Sequence, residues 1–408
     1  MNFATELLHN GLLPDKVIGA TTLPIYQTAA FSQASAEDLE KIFIGRKAGF
    51  AYTRISNPTT ATFERRISNL ERGAGAVAFS SGMAAISAAI LNIVESGDDI
   101  ISSGSLFGGT SNFFRELKSF GVCVRYVKEN RVENFSDLLT NRTKLIYAET
   151  IGNPKLDVTD ICALAELAHK NNLPLCIDST VTTPYLVRPI ELGADVVIHS
   201  TSKMINGGGN SIGGIVITGK NFHWDAEKFP KLAEYEKFGA ISYLVRLRAK
   251  MLTDFGGCPA PMNIFLTNVG LDTLALRMER VCDNALTLAK FLSEQKTIRV
   301  NYPGLEENSY HELAKKQFSN RFGAMLTLRF ETKERAFRFI NALNYTLRAS
   351  NIGDVRTLTI HPASTIYLNV AAHEKEFAGV TEDLIRVNVG IEDISDLIDD
   401  FGRALSKI

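Results

Sequence analysis

The sequence predicts an α/β protein: a large domain built on a mostly parallel sheet covered by helices, followed by a smaller α+β domain. Three observations carry that expectation. From about residue 75 to 205, short apolar runs alternate with helical segments, the pattern of a parallel sheet with helices on both faces. Several of those runs end in polar residues, among them Ser81, Asn153, Asp178 and Lys203, and ligands in such sheets sit beyond the carboxyl ends of the strands. After residue 260, a long helical stretch gives way to strands separated by helices.

At 408 residues the chain is long enough for two or three domains. Its composition, 45% hydrophobic and 22% charged, is that of an ordinary globular protein. A formal net charge of -1 gives no global pull towards nucleic acid or an anionic membrane. The five cysteines are scattered without a C-x-x-C pair, so neither a zinc site nor a disulfide framework is expected, and a reducing cytoplasm is favoured. Asn2 to Gly11 lacks the apolar core of a signal peptide. No apolar run approaches the roughly 20 residues that span a bilayer. These features point to a cytoplasmic protein acting on small molecules, with no nucleic-acid, membrane or metal partner.

Residues 1–60 hold few strong patterns. Thr21 to Thr28 is punctuated by proline and hydroxyls, and Gly45 to Pro58 is similarly irregular. A long irregular lead-in is usually functional or packed on a partner. Tyr52 and Arg54 lie near its end and suit surface positions before a turn. Asn57-Pro58-Thr59 suits the start of a helix over Thr60–Leu70. Gly75–Phe79 is a strand candidate running through Ser80-Ser81-Gly82-Met83 into an alanine-rich helix, Ala84–Val94. Such a turn offers backbone N–H groups to an anion, and Ser81 equally suits a plain N-cap.

Further strands are expected at Asp99–Ser102, Gly121–Val127, Lys144–Glu149, Leu173–Asp178 and Ala194–Ile198, with helices at Val132–Leu139, Thr159–Lys170 and Arg188–Leu192. Thr159 is read as a cap with Asp160 in the first turn. Gly214 to Lys220 approaches the P-loop pattern, but Asn221 follows where serine or threonine belongs, and Ile215-Val216-Ile217 reads as a strand. No G-x-G-x-x-G follows a strand here, so a dinucleotide fingerprint is missing. Ala240–Gln295 turns long and helical. Beyond it, Gly323–Phe330 alternates like a half-buried strand, Glu334–Leu343 is helical, and Thr357–Ile360 and Leu384–Val389 are strands. Arg386 stands inside the last of these. A buried arginine needs an anion, either a salt-bridging Asp or Glu or a carboxylate substrate.

The chemistry gathers at Ala194 to Gly209. A lysine at a strand end is either a phosphate-binding cation or a nucleophilic amine. An aldehyde cofactor carrying a phosphate needs a lysine for its Schiff base, an acid facing its pyridinium nitrogen and an anion cradle. Lys203, Asp178 and the Ser80–Met83 turn supply all three from one sheet edge, which leaves Lys203 free of phosphate binding.

On these residues the sequence resembles the Cys/Met-metabolism (transsulfuration) family of pyridoxal-phosphate enzymes, and within it the O-acetylhomoserine sulfhydrylases. The resemblance runs through Tyr52-Thr53-Arg54 with Asn57-Pro58-Thr59, Ser80-Ser81-Gly82-Met83, Gly108-Gly109-Thr110, Asn153-Pro154, Asp178 followed by Thr183-Pro184-Tyr185, and His199-Ser200-Thr201-Ser202-Lys203. It continues in Asn301 to Leu305, His361 to Ser364, and Arg386 with Val389 to Asp393, and so covers nearly the whole chain. Phe222-His223-Trp224 ahead of Phe229-Pro230 is similar to an insertion of the sulfhydrylases.

The resemblance implies the aspartate-aminotransferase-like architecture called PLP fold type I. Residues 1–60 would form an arm reaching the neighbouring subunit, 61–260 the cofactor domain, and 261–408 the C-terminal α+β domain. Lys203 would be the catalytic residue, holding pyridoxal 5'-phosphate and later shuttling protons. Asp178 would keep the ring nitrogen protonated. Ser81, Gly82 and Met83, with Thr180, Ser200 and Ser202, would complete the cofactor site, and Phe107 would stack on the ring. Tyr52 and Arg54 would reach the phosphate of a neighbouring subunit, implying dimers that share active sites, paired into a homotetramer. Asn153 and Arg386, with Ser350 nearby, would hold the substrate's α-carboxylate, for which a bidentate arginine is suited.

Phe107 is the main departure, because many relatives carry tyrosine there. Phenylalanine keeps the stacking and loses the hydroxyl, which weakens a lyase mechanism that protonates its leaving group through that phenol. Acetate is a weak base and departs without a proton. The expectation is therefore γ-replacement, O-acetyl-L-homoserine plus sulfide or methanethiol giving homocysteine or methionine plus acetate. The alternatives are a methionine γ-lyase, or a sulfhydrylase or cystathionine γ-synthase that uses a succinylated acceptor. A non-enzymatic anion-binding scaffold is disfavoured by Lys203, Asp178 and Arg386 together.

Overall fold

Two sheets organise the computed structural model, which describes residues 1–12 and 18–408. Strands β1 (Gly75–Phe79), β2 (Asp99–Ser103), β3 (Cys123–Val127), β4 (Thr143–Glu149), β5 (Leu175–Asp178), β6 (Val196–His199) and β7 (Gly214–Thr218) form the first. Their order is β1-β7-β6-β5-β4-β2-β3. All run parallel except β7, which is antiparallel to β1 and β6 on either side. Strands β5, β6 and β7 are buried at every position, as expected where helices cover both faces. The run that mimics a P-loop is β7, with Ile215, Val216 and Ile217 fully buried.

The second sheet holds β8 (Arg299–Asn301), β9 (Met325–Arg329), β10 (Leu347–Arg348), β11 (Leu358–Ile360) and β12 (Leu384–Asn388), in the order β10-β11-β12-β9-β8. The helices Pro261–Asp272 and Leu274–Ser293 connect the two sheets along the chain. One apolar cluster joins Ile177 and Val197 of the first sheet to Ile264 and Leu271 of that connection, and on to Leu328 and Val387 of the second. A separate cluster on the other face of the first sheet includes Trp224, Phe229 and Tyr243, with Trp224 stacked on Tyr243 at 4.6 Å.

Several boundaries shift for local reasons. The helix expected over Thr60–Leu70 runs Pro58–Glu71, because the Asn57 side chain accepts the Thr59 N–H and proline occupies its first turn. The alanine-rich helix starts at Gly82, two residues early, with Ser81 capping the Ala84 N–H. The cap of Ile161–Lys170 is Asp160 and not Thr159, since the Thr159 hydroxyl donates to Glu149 O at 2.6 Å. The lead-in contains two helices that its irregular sequence hid, Phe3–His9 and Ala36–Phe43. The first is fixed from outside: Glu6 pairs with Arg72 and Arg188, and buried Arg66 donates to Leu7 O.

Strand β9 is not half-buried. Thr327, at a polar position of the alternation, is 2% exposed, because it lies opposite Arg386 of β12 and shares the face of that arginine.

Ile177 immediately precedes Asp178 and is fully buried. Ile177→Ala should cost about 2–5 kcal/mol of stability, read as a lower urea midpoint at unchanged slope.

Candidate active site

The carboxyl ends of β1, β2, β4, β5 and β6 open on one cavity of about 500 Å³. The second sheet closes it with the segment after β10 and with Arg386 of β12. Because β7 runs the other way, its first residues lie at the same edge, and Gly213 exchanges hydrogen bonds with the Ser202 hydroxyl.

Lys203 sits in the turn after β6. Its Nζ donates to Asn351 Oδ1 at 2.5 Å, and no carboxylate pairs with it among the described residues. Burial brings its amine down to about 8, and the Arg386 guanidinium pushes the same way. An amine that loses its proton near neutrality is a nucleophile and a base, not a fixed phosphate cation.

Asp178 ends β5, and the Thr180 N–H donates to its Oδ1 at 2.9 Å. Burial pushes its carboxyl above the ordinary range, against the Thr180 hydrogen bonds. No Lys or Arg offsets this among the described residues, so the cavity presents a desolvated carboxyl in want of a cation. Glu149 ends β4 in register beside it. Burial, with repulsion from Asp178, holds the Glu149 carboxyl well above its ordinary value, and Oε1 accepts the Phe107 N–H at 2.6 Å.

The helix Gly82–Leu91 points its first turn into the cavity. Ser81 is its N-cap, as the plain reading had it, which leaves the Gly82 and Met83 N–H groups for an anion. A Cβ on Gly82 would lie 2.6 Å from Ser200 Cβ, so only glycine fits. The Ser200 N–H donates to Thr180 Oγ1 at 2.8 Å, tying the wall together. The Phe107 ring is 37% exposed, and a Cβ on Gly109 would lie 2.5 Å from its Cε1.

Arg386 is 3% exposed and has no salt bridge among the described residues, which removes the Asp or Glu option. It donates to Asn153 Oδ1 at 3.0 Å and to Asn351 O at 3.1 Å, and burial brings its guanidinium down to about 10. The Tyr367 hydroxyl faces Leu106 O at 2.6 Å and Asn153 O at 3.0 Å, joining the segment that carries Phe107 to the one that carries Asn153.

Ser81, Gly82, Met83, Phe107, Asn153, Asp178, Thr180, Ser200, Ser202, Lys203, Ser350 and Arg386 all line the cavity. Tyr52 and Arg54 do not. Tyr52 is exposed, and the Arg54 guanidinium stacks over its ring and donates to Thr253 O. Glu149 and Asn351 were missed. The strand-end argument that found Asp178 applies equally to Glu149, whereas no local signal marks Asn351. The donor set fits a phosphorylated pyridine aldehyde: free first-turn N–H groups, a carboxyl lacking a cation and an amine lacking a carboxylate.

In the cofactor-free protein, amine-directed labelling of Lys203 should rise with pH through a midpoint near 8. The neutral, reactive form dominates above that pH, so a midpoint near 10.5, the ordinary lysine value, would contradict the burial described here.

The sequence of an O-acetyl-L-homoserine sulfhydrylase from Leptospira meyeri is 39% identical, covering 100% of this chain and 98% of its own. A homocysteine synthase from Schizosaccharomyces pombe is also 39% identical, covering 99% and 98%. A crystal structure from Campylobacter jejuni, described as an O-acetylhomoserine (thiol)-lyase with N'-pyridoxyl-lysine-5'-monophosphate, matches with a TM-score of 0.95 at 32% identity over 100% of both chains. Residues 4–406 match the family described as Cys/Met metabolism PLP-dependent enzyme. With a lysine, a buried carboxyl and an anion cradle on one sheet edge, and similarity along its whole length, the chain belongs to the Cys/Met-metabolism family of pyridoxal-phosphate-dependent enzymes.

Proposed function

We propose that the protein catalyses γ-replacement, converting O-acetyl-L-homoserine and sulfide, or a small thiol such as methanethiol, to homocysteine or methionine and acetate. The observation that carries this is the pairing of a near-neutral amine, Lys203, with an unpaired buried guanidinium, Arg386, across one cavity. An α-amino acid supplies the carboxylate that Arg386 lacks. The name of the Leptospira relative supports the acyl-homoserine class.

Bound pyridoxal 5'-phosphate supplies an electron sink that acidifies the Cα and Cβ protons of an amino acid. Lys203 Nζ takes the Cα proton. Asp178 would keep the ring nitrogen of the cofactor protonated, and the opposite charge would in turn favour the Asp178 carboxylate. Asn153 and Arg386, with Ser350 nearby, orient the substrate through its α-carboxylate. Ser81, Gly82, Met83, Thr180, Ser200 and Ser202 would hold the cofactor, and Phe107 would cover its ring and exclude water. Loss of a Cβ proton expels acetate from Cγ as the carboxylate, sulfide then forms the Cγ–S bond, and protons return to Cβ and, from Lys203 Nζ, to Cα. No acid is needed at the oxygen, which suits a phenylalanine at 107.

The reading extends to the assembly. Residues 1–60 form an arm, 61–260 the cofactor domain and 261–408 the C-terminal domain. Tyr52 and Arg54 serve the phosphate of a neighbouring subunit, in a homotetramer of dimers. Their position outside this chain's own cavity supports that, as does the helix Ala36–Phe43, which buries none of its residues here. Among the described residues no helix is long and apolar enough to cross a membrane, which accords with a cytoplasmic enzyme.

Purified protein should release acetate and form homocysteine only when both substrates are present, and Lys203→Ala should abolish the reaction. Ammonia and an α-keto acid formed from methionine alone would make it a γ-lyase. Faster turnover of O-succinyl-homoserine would move the acceptor. Arg386→Met should raise KM for O-acetyl-L-homoserine on the order of a hundredfold, from hydrogen bonds to a charged group worth about 1.5–3 kcal/mol each. If the arm serves the neighbouring site, mixing inactive Arg54→Ala and Lys203→Ala subunits should restore about a quarter of wild-type activity through hybrid dimers.

A further inference from the structure

Asn351 touches both working cations of the cavity. Its side-chain Oδ1 accepts from Lys203 Nζ at 2.5 Å, and its backbone O accepts from Arg386 Nη2 at 3.1 Å. The segment that carries it is held rigidly against the lysine turn. A Cβ on Gly353, which has a φ of 72°, would collide with the backbone of Lys203 and Met204. The Gly353 N–H donates to Asn388 Oδ1 at 3.0 Å, and the Val355 N–H to Gly207 O at 2.9 Å. The distance between the amine and the guanidinium therefore passes through a single clamped residue.

We propose that Asn351 is a positioning residue which docks the free Lys203 amine and registers it against the carboxylate anchor Arg386. Resting on the γ-replacement reading, this gives the amine a fixed place to return to whenever it is released from the cofactor. From there it faces the Cα proton of a substrate whose carboxylate lies on Arg386. Proton transfer gains most when the base is held in place beforehand.

A neutral amide suits the task better than a carboxylate would. The other charged or titratable groups lining the cavity are Arg386 from β12, Asp178 from β5 and Glu149 from β4; none hydrogen-bonds to Lys203, and of these Arg386 pushes its amine towards neutrality. A carboxylate at 351 would pair with the ammonium and hold it protonated. The amide oxygen orients the amine and lets burial keep it near neutrality.

The test uses Asn351→Asp, close to isosteric, and Asn351→Leu, similar in size without an acceptor. Labelling of Lys203 in the cofactor-free protein should titrate about one unit or more higher in the Asp variant, and lower than wild type in the Leu variant. In the loaded enzyme both should lose about tenfold or more in kcat. KM for O-acetyl-L-homoserine should stay within about threefold, because the backbone carbonyl on Arg386 is retained. Unmoved labelling midpoints with unchanged kcat would overturn the proposal. A raised KM at unchanged kcat would overturn it too, since Asn351 would then bind substrate. Wild-type protein without sulfhydrylation activity would sink the functional reading, and the labelling arm would still test the contact. Should the Leu variant unfold, the Asp variant decides alone.

Discussion

The structure depends on the cost of removing charges from water. Asp178 and Arg386 are buried and Lys203 is partly buried around one cavity, and none has an ion-pair partner among the described residues. A buried charge left unpaired is expensive unless hydrogen bonds or a ligand offset it. The protein surrounds these groups with neutral partners. Asn351 faces Lys203, the Thr180 N–H faces Asp178, and Asn153 with the Asn351 carbonyl faces Arg386. Each group stays oriented while its charge remains available to a ligand. The same desolvation moves Lys203 towards neutrality and Asp178 towards its acid form, so the free cavity is tuned for an anionic, cationic and aldehydic occupant at once.

The sheet makes the gathering possible. Parallel strands deliver every carboxyl end to one edge, and in-register pairing sets Glu149 beside Asp178. The single reversed strand brings its starting glycines to that edge. A Cβ on Gly214 would lie 2.6 Å from the Ser81 carbonyl carbon, so the floor of the anion cradle forms by close backbone approach. The second sheet adds the substrate side of the cavity. That is why β9 is buried on both faces and why Arg386 can stand inside an apolar strand without a salt bridge.

Phe107 links architecture to reaction. Its N–H is held by Glu149, and the preceding carbonyl by Tyr367, so the ring is placed by its backbone as firmly as by packing. The missing hydroxyl removes an acid from the cavity. The chemistry that tolerates that loss expels a leaving group stable as an anion.

What the sequence alone determined is what short-range physics writes into short stretches. Apolar runs of strand length placed β1, β4, β5, β6, β7, β11 and β12. An alanine-rich run announced the helix after β1, although its start at Gly82 came from the structure. Strand ends with chemistry pointed to Ser81, Asp178 and Lys203, and a charge inside an apolar run singled out Arg386. Tertiary structure alone decided the rest. Asn351 lies in an irregular segment with no periodicity, and only the close backbone approach at Gly353 brings it to Lys203, 148 residues away in sequence. The helix Phe3–His9 stands on ion pairs to Arg72 and Arg188 that no local pattern could announce. The open questions about Lys203 and Arg386 turned on burial and on the absence of a counter-charge. Both are properties of the space around a residue, which a sequence leaves undefined until distant segments close over it.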